Sequence, residues 1–220
     1  MPQIEAIGDF VTITPDGVFY LALSKNPQAD TGLFNTTRLP LLTSCWIARF
    51  VHSNWLMNAF IQSHGRASLQ ISAANGRKIV LVRLIEGERL GVNIKNLIGF
   101  SRGISLATSI SLSIAAFAIE RNFVHIATGP GLLAFEVSGQ PTTQFPSAVT
   151  FSARLLVAWS PNTEFRFDYL HALSDVYFNE LRVTAATGST GFLLLDADTS
   201  MSPRSRNWMW RLIRSVYIPG

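Results

Sequence analysis

Three kinds of residues in this sequence could do chemistry: a glycine-rich turn, scattered histidines and paired carboxylates. The turn Gly129-Pro130-Gly131 could hold a phosphate on its backbone amides, as glycine-rich loops do. It lacks the Lys-Ser/Thr of such loops, and a strand pattern follows it instead of a helix, whose N-terminus would attract the phosphate. The sequence therefore favours a hairpin turn here over a nucleotide site.

The histidines and the carboxylates do not have the spacing of a metal or catalytic site. The histidines are His52, His64, His125 and His171. Glu86 with Glu88, and Asp196 with Asp198, each place two carboxylates on one strand face, which suits acid–base chemistry or calcium binding. Because both pairs adjoin turns, we favour solvated strand ends over a site. A metal site assembled from distant histidines stays open as a lesser alternative.

Nucleophilic and disulfide chemistry find no support in the sequence. The single cysteine, Cys45, excludes an intrachain disulfide and is interpreted as a small buried side chain. No serine lies in a Gly-x-Ser-x-Gly elbow. The sequence therefore predicts a protein that is not an enzyme and holds no cofactor or metal.

Residues 203–220 form a basic, aromatic tail and give the best functional signal. The residues predicted to contact a partner or a membrane are Arg204, Arg206, Trp208, Trp210, Arg211, Arg214 and Tyr217. Acids and bases cancel over residues 1–198, so the whole net charge of +4 falls on this end. Trp and Arg are enriched at protein-interface hot spots, and they also suit an anionic lipid surface. Contact with protein subunits or another copy is favoured, then lipid, then RNA.

The composition predicts apolar surface that is hidden against other molecules. Charged residues make up 15% of the chain and hydrophobic residues 48%, whereas an average soluble protein is about 25% charged. The uncharged run of residues 104–119 is shorter than the about 20 residues of a transmembrane helix. It alternates with period two, so the sequence predicts strand structure there and no transmembrane helix. The N-terminus has no Arg before Arg38, unlike a signal or transit peptide.

Two recurring patterns predict an internally repeated β-domain. A glycine-containing turn followed by an apolar strand occurs near residues 65, 129 and 188, with a spacing of about sixty residues. In a second recurrence, residues 96–104 resemble residues 154–162: in each, aliphatic residues lead to a small residue, an aromatic residue, a serine and then a turn. We therefore expect a single β-domain over residues 1–202, with about three pseudo-repeats, followed by the tail.

Two segments carry local predictions of secondary structure. Residues 78–85 are rich in β-branched side chains, and residues 90–94 alternate after a polar turn with glycine, so the two segments predict a hairpin. Loosely spaced apolar side chains between Thr36 and Phe60 predict one helix.

Several segments resemble the altered-inheritance-of-mitochondria protein 24 family. The resemblance rests on residues 84–92 with 97–100, on the turn at 128–131 and on the apolar segment 154–159, and it runs from about Gly65 to about Asp196. It implies a TRAP-like all-β fold of repeated antiparallel β-modules, of the double-stranded β-helix or β-prism type, with few short helices. The family occurs in bacteria and mitochondria, and in fungi it is tied to the organisation of the mitochondrial inner membrane.

The resemblance and the tail together lead to one functional expectation and one alternative. We expect a non-enzymatic structural or scaffolding subunit of a mitochondrial membrane-associated assembly, peripheral to the inner membrane. A bacterial cytoplasmic location is the alternative to the mitochondrial one. An RNA-binding TRAP-like module is the alternative function, and the balanced charge of residues 1–198 counts against it.

Overall fold

The computed structural model shows how the chain builds antiparallel sheets. The residues that the structure describes are 2–13, 18–22, 28–29, 57–61, 69–73, 76–110, 123–139, 141–142, 148–152, 155–167, 182–186 and 191–196. Within these ranges the regular elements are strands, with no α-helix, and all their pairings are antiparallel. The all-β fold predicted from the sequence is confirmed.

The strands are numbered in chain order. They are β1 (Gln3–Gly8), β2 (Phe10–Ile13), β3 (Val18–Ala22), β4 (Gln28–Ala29), β5 (Met57–Ile61), β6 (Leu69–Ser72), β7 (Lys78–Leu84), β8 (Arg89–Val92), β9 (Leu97–Ser101), β10 (Ser105–Ile110), β11 (Phe123–Thr128), β12 (Gly131–Val137), β13 (Pro141–Thr142), β14 (Ala148–Ser152), β15 (Leu156–Trp159), β16 (Glu164–Phe167), β17 (Arg182–Ala186) and β18 (Leu193–Asp196).

Two six-stranded sheets face each other at the centre of the fold. The first central sheet has the order β1-β7-β12-β9-β3-β5, and the second central sheet has the order β10-β11-β8-β15-β18-β13. The largest apolar cluster lies between them and includes Val82, Phe100 and Phe135 from the first sheet, and Leu90 and Leu194 from the second. Removing this area from water is the main favourable term in folding such a domain.

A smaller sheet covers the outer face of each central sheet. The first outer sheet, β2-β6-β4, brings Val11 and Ile71 against Leu81 of the first central sheet. The second outer sheet, β14-β17-β16, brings Phe151 against Trp159 of the second central sheet. Central strands are therefore buried on both faces, which explains why β7 is a nearly continuous apolar run instead of an alternating one.

The predicted hairpin over residues 78–94 is wrong in its pairing, although both strands are present. β7 pairs with β1 and β12, whereas β8 pairs with β11 and β15 in the facing sheet. The turn between them closes with a hydrogen bond from the Glu88 amide to the Ile85 carbonyl (3.1 Å), and Gly87 supplies its positive φ of 75°. The sequence shows the turn, but the second strand pairs in the opposite sheet with partners far along the chain.

The predicted turn at residues 129–131 also connects the two central sheets. β11 before it and β12 after it belong to different sheets, so the hairpin interpretation is wrong here as well. The predicted helix over residues 36–60 is wrong at its end, because residues 57–60 belong to β5. The rest of that segment, and the turns near 65 and 188, lie outside the described residues.

Two segments about sixty residues apart adopt the same pairing. β9 pairs with β12 through Phe100↔Leu133, and β15 pairs with β18 through Trp159↔Leu193. In each pair, the strand that carries the aromatic residue, Phe100 or Trp159, has a register shift two residues before it. The register equivalence covers two segments, and the number of repeats over residues 1–202 stays a prediction.

Equivalent serines close both of these strand pairs. The Leu132 amide donates to the Ser101 hydroxyl oxygen (2.9 Å), and the Phe192 amide donates to the Ser160 hydroxyl oxygen (2.8 Å). Each serine carbonyl also accepts the amide of the turn that follows, from Ile104 (3.1 Å) and Thr163 (3.0 Å) respectively. The second recurrence in the sequence thus marks a repeated junction between a strand and its partner.

We expect Ser101→Ala and Ser160→Ala each to lower the free energy of unfolding by about 1–3 kcal/mol, because each leaves a part-buried amide without its acceptor. Equilibrium urea denaturation measures the loss. Ser105→Ala, at an exposed position of β10, is the matched control and should change stability by less than about 0.5 kcal/mol. Equal stability of the three variants would contradict a structural role for the paired serines.

Gly91 makes room for the indole ring of Trp159. The two residues are opposite each other in the β8–β15 ladder, and a Cβ at Gly91 would overlap the indole atoms, with Cδ2 at 2.8 Å. The ring meets Phe165 edge-on, with centroids 6.2 Å apart, and so links the second central sheet to the second outer sheet.

Gly91→Ala should destabilise the protein by about 1–3 kcal/mol, since the methyl group displaces a packed indole. Thermal and urea unfolding give the size of the loss. In a Trp159→Leu background the same substitution should cost clearly less, because the overlapping ring is gone. An equal cost in both backgrounds would show that the overlap with Trp159 is not the cause.

Candidate functional site

The tail predicted as the contact site lies outside the described residues. This concerns Arg204, Arg206, Trp208, Trp210, Arg211, Arg214 and Tyr217. Cys45, His52, His64, His171 and Asp198 lie outside them as well. The structure therefore leaves the tail assignment as a prediction, and the described part shows which other groups are available for chemistry.

Few polar side chains are buried in the described part of the chain. They are His125, Glu136, Thr163 and Asp196. Glu136 and Asp196 follow Leu132 and Phe192 by the same number of residues, so the two acids occupy equivalent positions near the ends of β12 and β18. Two buried carboxylates at repeated positions are the strongest candidates for chemistry within the described residues.

Glu136 is bound at two places. Its carboxylate pairs with a cation, and its backbone is hydrogen-bonded to a loop. Its Oε2 atom lies 3.0 Å from Nη1 of Arg77, whose side chain is 44% exposed against 6% for Glu136. Asn96 brackets the backbone of the same residue: its carbonyl accepts the Glu136 amide (2.8 Å), and its Nδ2 donates to the Glu136 carbonyl (3.0 Å). These contacts fix the loop between β8 and β9 to β12.

The carboxylate of Asp196 accepts hydrogen bonds from two consecutive backbone amides. Ser138 donates to Oδ2 (2.9 Å) and Gly139 to Oδ1 (3.0 Å). Ser138 and Gly139 belong to the connection from β12 to β13, and β13 pairs with β18 beside Asp196. Asp196 therefore holds the chain where it passes from the first central sheet to the second.

In the other predicted carboxylate pair, Glu86 and Glu88, one member binds the backbone of its own turn. Glu88 accepts the Ile85 amide on Oε2 (2.9 Å), whereas Glu86 is exposed. No group of three or more His, Cys, Asp or Glu side chains that could hold a metal ion occurs within the described ranges.

The Gly129 amide, in the turn at residues 129–131, is bound by a neighbouring turn. The Gly129 amide donates to the Glu88 carbonyl (2.9 Å), and a Cβ at Gly129 would lie 2.8 Å from Leu84 Cβ. A Cβ at Gly131, whose φ is 150°, would overlap the Ser101 hydroxyl. The glycines are therefore explained by the close approach of three connections between the central sheets, and the Gly129 amide points to protein and not to a phosphate.

Large apolar side chains are exposed at two places in the described surface. They are Ile7 (46% exposed) and Phe10 (63%) at the bend between β1 and β2, and Ile85 (57%) in the turn after β7. The exposed bend was not predicted, because the run Phe10-Val11-Thr12-Ile13 indicates a strand but does not show which of its two faces is packed against the rest of the protein. In the structure Val11 and Ile13 are buried and Phe10 is not.

No helix within the described residues is long and apolar enough to cross a membrane. Residues 105–110 of the uncharged run form β10, as the period-two pattern predicted, and the remainder of that run lies outside the described ranges.

Asp196→Asn should lower the free energy of unfolding by about 1–3 kcal/mol, because the amide NH2 cannot accept one of the two backbone hydrogen bonds. Chemical denaturation quantifies the loss. Glu86→Gln makes the same chemical change at an exposed turn position and should leave stability within about 0.5 kcal/mol of the original. An Asp196→Asn protein as stable as the Glu86→Gln control would remove the structural role of this carboxylate.

No protein-family model matches the chain, and no curated protein matches its sequence. Its fold is similar to that of a Streptococcus pyogenes protein whose X-ray structure was determined as a structural genomics target. The two superpose with a TM-score of 0.54 at 16% sequence identity, over 90% of this chain and 94% of the bacterial one. At this identity the similarity concerns the fold alone.

Proposed function

We propose that the chain is a non-enzymatic structural subunit of a membrane-associated assembly and that residues 203–220 carry the contact with its neighbours. The observation that carries this proposal is the division of charge along the chain. Residues 1–198 balance, and the whole net charge of +4 falls on a segment with two tryptophans, four arginines and no acid. A segment of this composition is suited to binding acidic and apolar surfaces.

The use of polar groups within the fold supports a structural role. Ser101, Ser160 and Asp196 accept backbone amides, and Glu136 pairs with Arg77. These contacts tie connections and strands together and so give each group a role in the fold. An enzyme needs groups of this kind directed at a substrate.

The resemblance to the altered-inheritance-of-mitochondria protein 24 family supports a location on the mitochondrial inner membrane, with the bacterial cytoplasm as the alternative. The partners we propose are protein subunits of the same assembly. An anionic lipid surface is a further partner, since tryptophan suits the membrane interface and arginine binds phosphate head groups.

An RNA-binding module is the second candidate function. Tryptophan stacking beside arginine in the tail favours it, because the same pair binds single-stranded nucleic acid. The lack of net positive charge in residues 1–198 makes it the weaker of the two. Titration of RNA binding with salt separates them, since binding through phosphates weakens steeply as salt rises.

Deletion of residues 203–220 should leave a folded body and abolish co-purification with membranes and partner subunits. The thermal unfolding transition reports the fold, and affinity purification from the native host reports the contact. Trp208→Ala with Trp210→Ala should weaken co-purification in the same direction, and Ile85→Ala is the control for an exposed apolar residue of the body. Unchanged co-purification of the deleted protein would refute the tail assignment, and loss of folding would place the tail in the core.

A further inference from the structure

The two repeated junctions differ in chemistry at one buried position. Thr163 ends the turn that follows Ser160, and Ile104 ends the turn that follows Ser101, so Thr163 and Ile104 are equivalent in the repeat. Both side chains are buried, with an exposed fraction of 5% for Ile104 and 8% for Thr163. Ile104 belongs to the apolar cluster between the two central sheets. Thr163 therefore brings a hydroxyl group to a position that the other junction fills with an aliphatic side chain.

The hydroxyl group of Thr163 is covered but makes no hydrogen bond. Its Oγ1 atom has no hydrogen-bond partner among the described residues. The backbone of the same residue is satisfied, because its amide donates to the Ser160 carbonyl (3.0 Å). A covered hydroxyl without a partner loses its hydrogen bonds to water and gains none in return, which raises the free energy of the closed turn. Opening the turn returns the hydroxyl to water and removes this cost.

The hydrogen bonds that the two serines accept do not offset this cost, because they are closely matched. Each serine accepts one amide on its hydroxyl oxygen and one on its carbonyl, at 2.8 and 3.0 Å around Ser160 and at 2.9 and 3.1 Å around Ser101. The first junction has a further close neighbour: a Cβ at Gly103 would overlap the Pro130 carbonyl oxygen, so the turn at residues 101–104 packs directly against the turn at 129–131. The balance of these contacts makes the second junction the easier one to open.

We propose that the turn at residues 160–163 is an opening point built into the fold, at which the second outer sheet separates from the second central sheet. This turn joins β15 of the second central sheet to β16 of the second outer sheet. Trp159 and Phe165 meet edge-on across it, within the apolar cluster between these two sheets. Local opening presents the buried Trp159 ring transiently, while the two central sheets stay closed. The equivalent turn joins β9 to β10, which are strands of the two central sheets, and it stays closed with them.

The test is hydrogen exchange of single backbone amides in the full chain, measured by NMR under native conditions. The protection factors of the Thr163 and Phe192 amides should be about tenfold lower than those of the equivalent Ile104 and Leu132 amides. Thr163→Val keeps the branched shape of the side chain and removes the hydroxyl group. It should raise the protection factors at residues 163 and 192 about tenfold and leave those at residues 104 and 132 unchanged.

Two further comparisons test whether the hydroxyl group is the cause. Ile104→Thr and Ile104→Val give side chains of the same shape at the first junction and differ by the hydroxyl group. The Leu132 amide should be about tenfold less protected in the threonine variant than in the valine variant. Thr12→Val makes the same change as Thr163→Val at an exposed position of β2 and should leave all four protection factors unchanged. Thermal unfolding reports whether each variant folds, and if Ile104→Thr does not fold, Thr163→Val decides alone.

Unchanged or faster exchange at residues 163 and 192 in the Thr163→Val protein overturns the proposal, because the hydroxyl group then does not weaken the closed turn. An equal gain in protection at all four amides also overturns it, since the substitution then stabilises the whole fold and not one junction. Equal protection of the two junctions in the original protein has the same consequence. A gain confined to residues 163 and 192 supports the opening point. These measurements do not involve residues 203–220, so the proposed function is tested separately.

Discussion

The fold depends on satisfying backbone polar groups wherever the chain passes between the two central sheets. β7 to β8, β8 to β9, β9 to β10, β11 to β12 and β12 to β13 are all connections of this kind. Strand ladders cannot provide partners at such points, and a buried amide without an acceptor costs about 1–3 kcal/mol. Side chains and neighbouring turns provide the partners instead. Ser101 accepts an amide of β12, Asn96 binds the backbone of Glu136, and Asp196 accepts an amide of the connection that follows β12.

This constraint explains both the repeated motif and the absence of an obvious site within the described residues. The Ser101 and Ser160 junctions have the same register, and Glu136 and Asp196 follow at equivalent positions. The acids have different partners, however: Glu136 binds Arg77, while Asp196 binds two amides. The junction is therefore repeated in its register and in its serine hydrogen bonds, whereas the partners of the two acids are not repeated. The serines and carboxylates at these junctions are engaged in backbone hydrogen bonds and an ion pair within the fold.

The sequence could predict that a segment forms a strand, but it could not predict which other strand pairs with it. The β-branched run at β7 and the alternation at β10 identify strands through local patterns. A turn such as the one containing Gly87 shows only that the chain reverses, and whether the next strand joins the same sheet depends on residues far along the chain. The serine recurrence indicated a repeat, but its hydrogen bonds join residues |i−j| = 31 and 32 apart and carry no local signal. The exposure of Phe10 was missed for the same reason, since its coverage is decided by tertiary packing.

Magnitudes decide which part of a surface contact would set its strength. An exposed ion pair such as one with Asp9 contributes about 0–1 kcal/mol, and salt screens it. Covering a large apolar side chain such as Phe10 contributes about 1.5–3 kcal/mol when burial is complete. The apolar groups therefore provide most of the affinity, whereas the charges select the orientation and the partner. Under the proposed function, the arginines of residues 203–220 would select the partner, and the tryptophans of the same segment would provide most of the affinity.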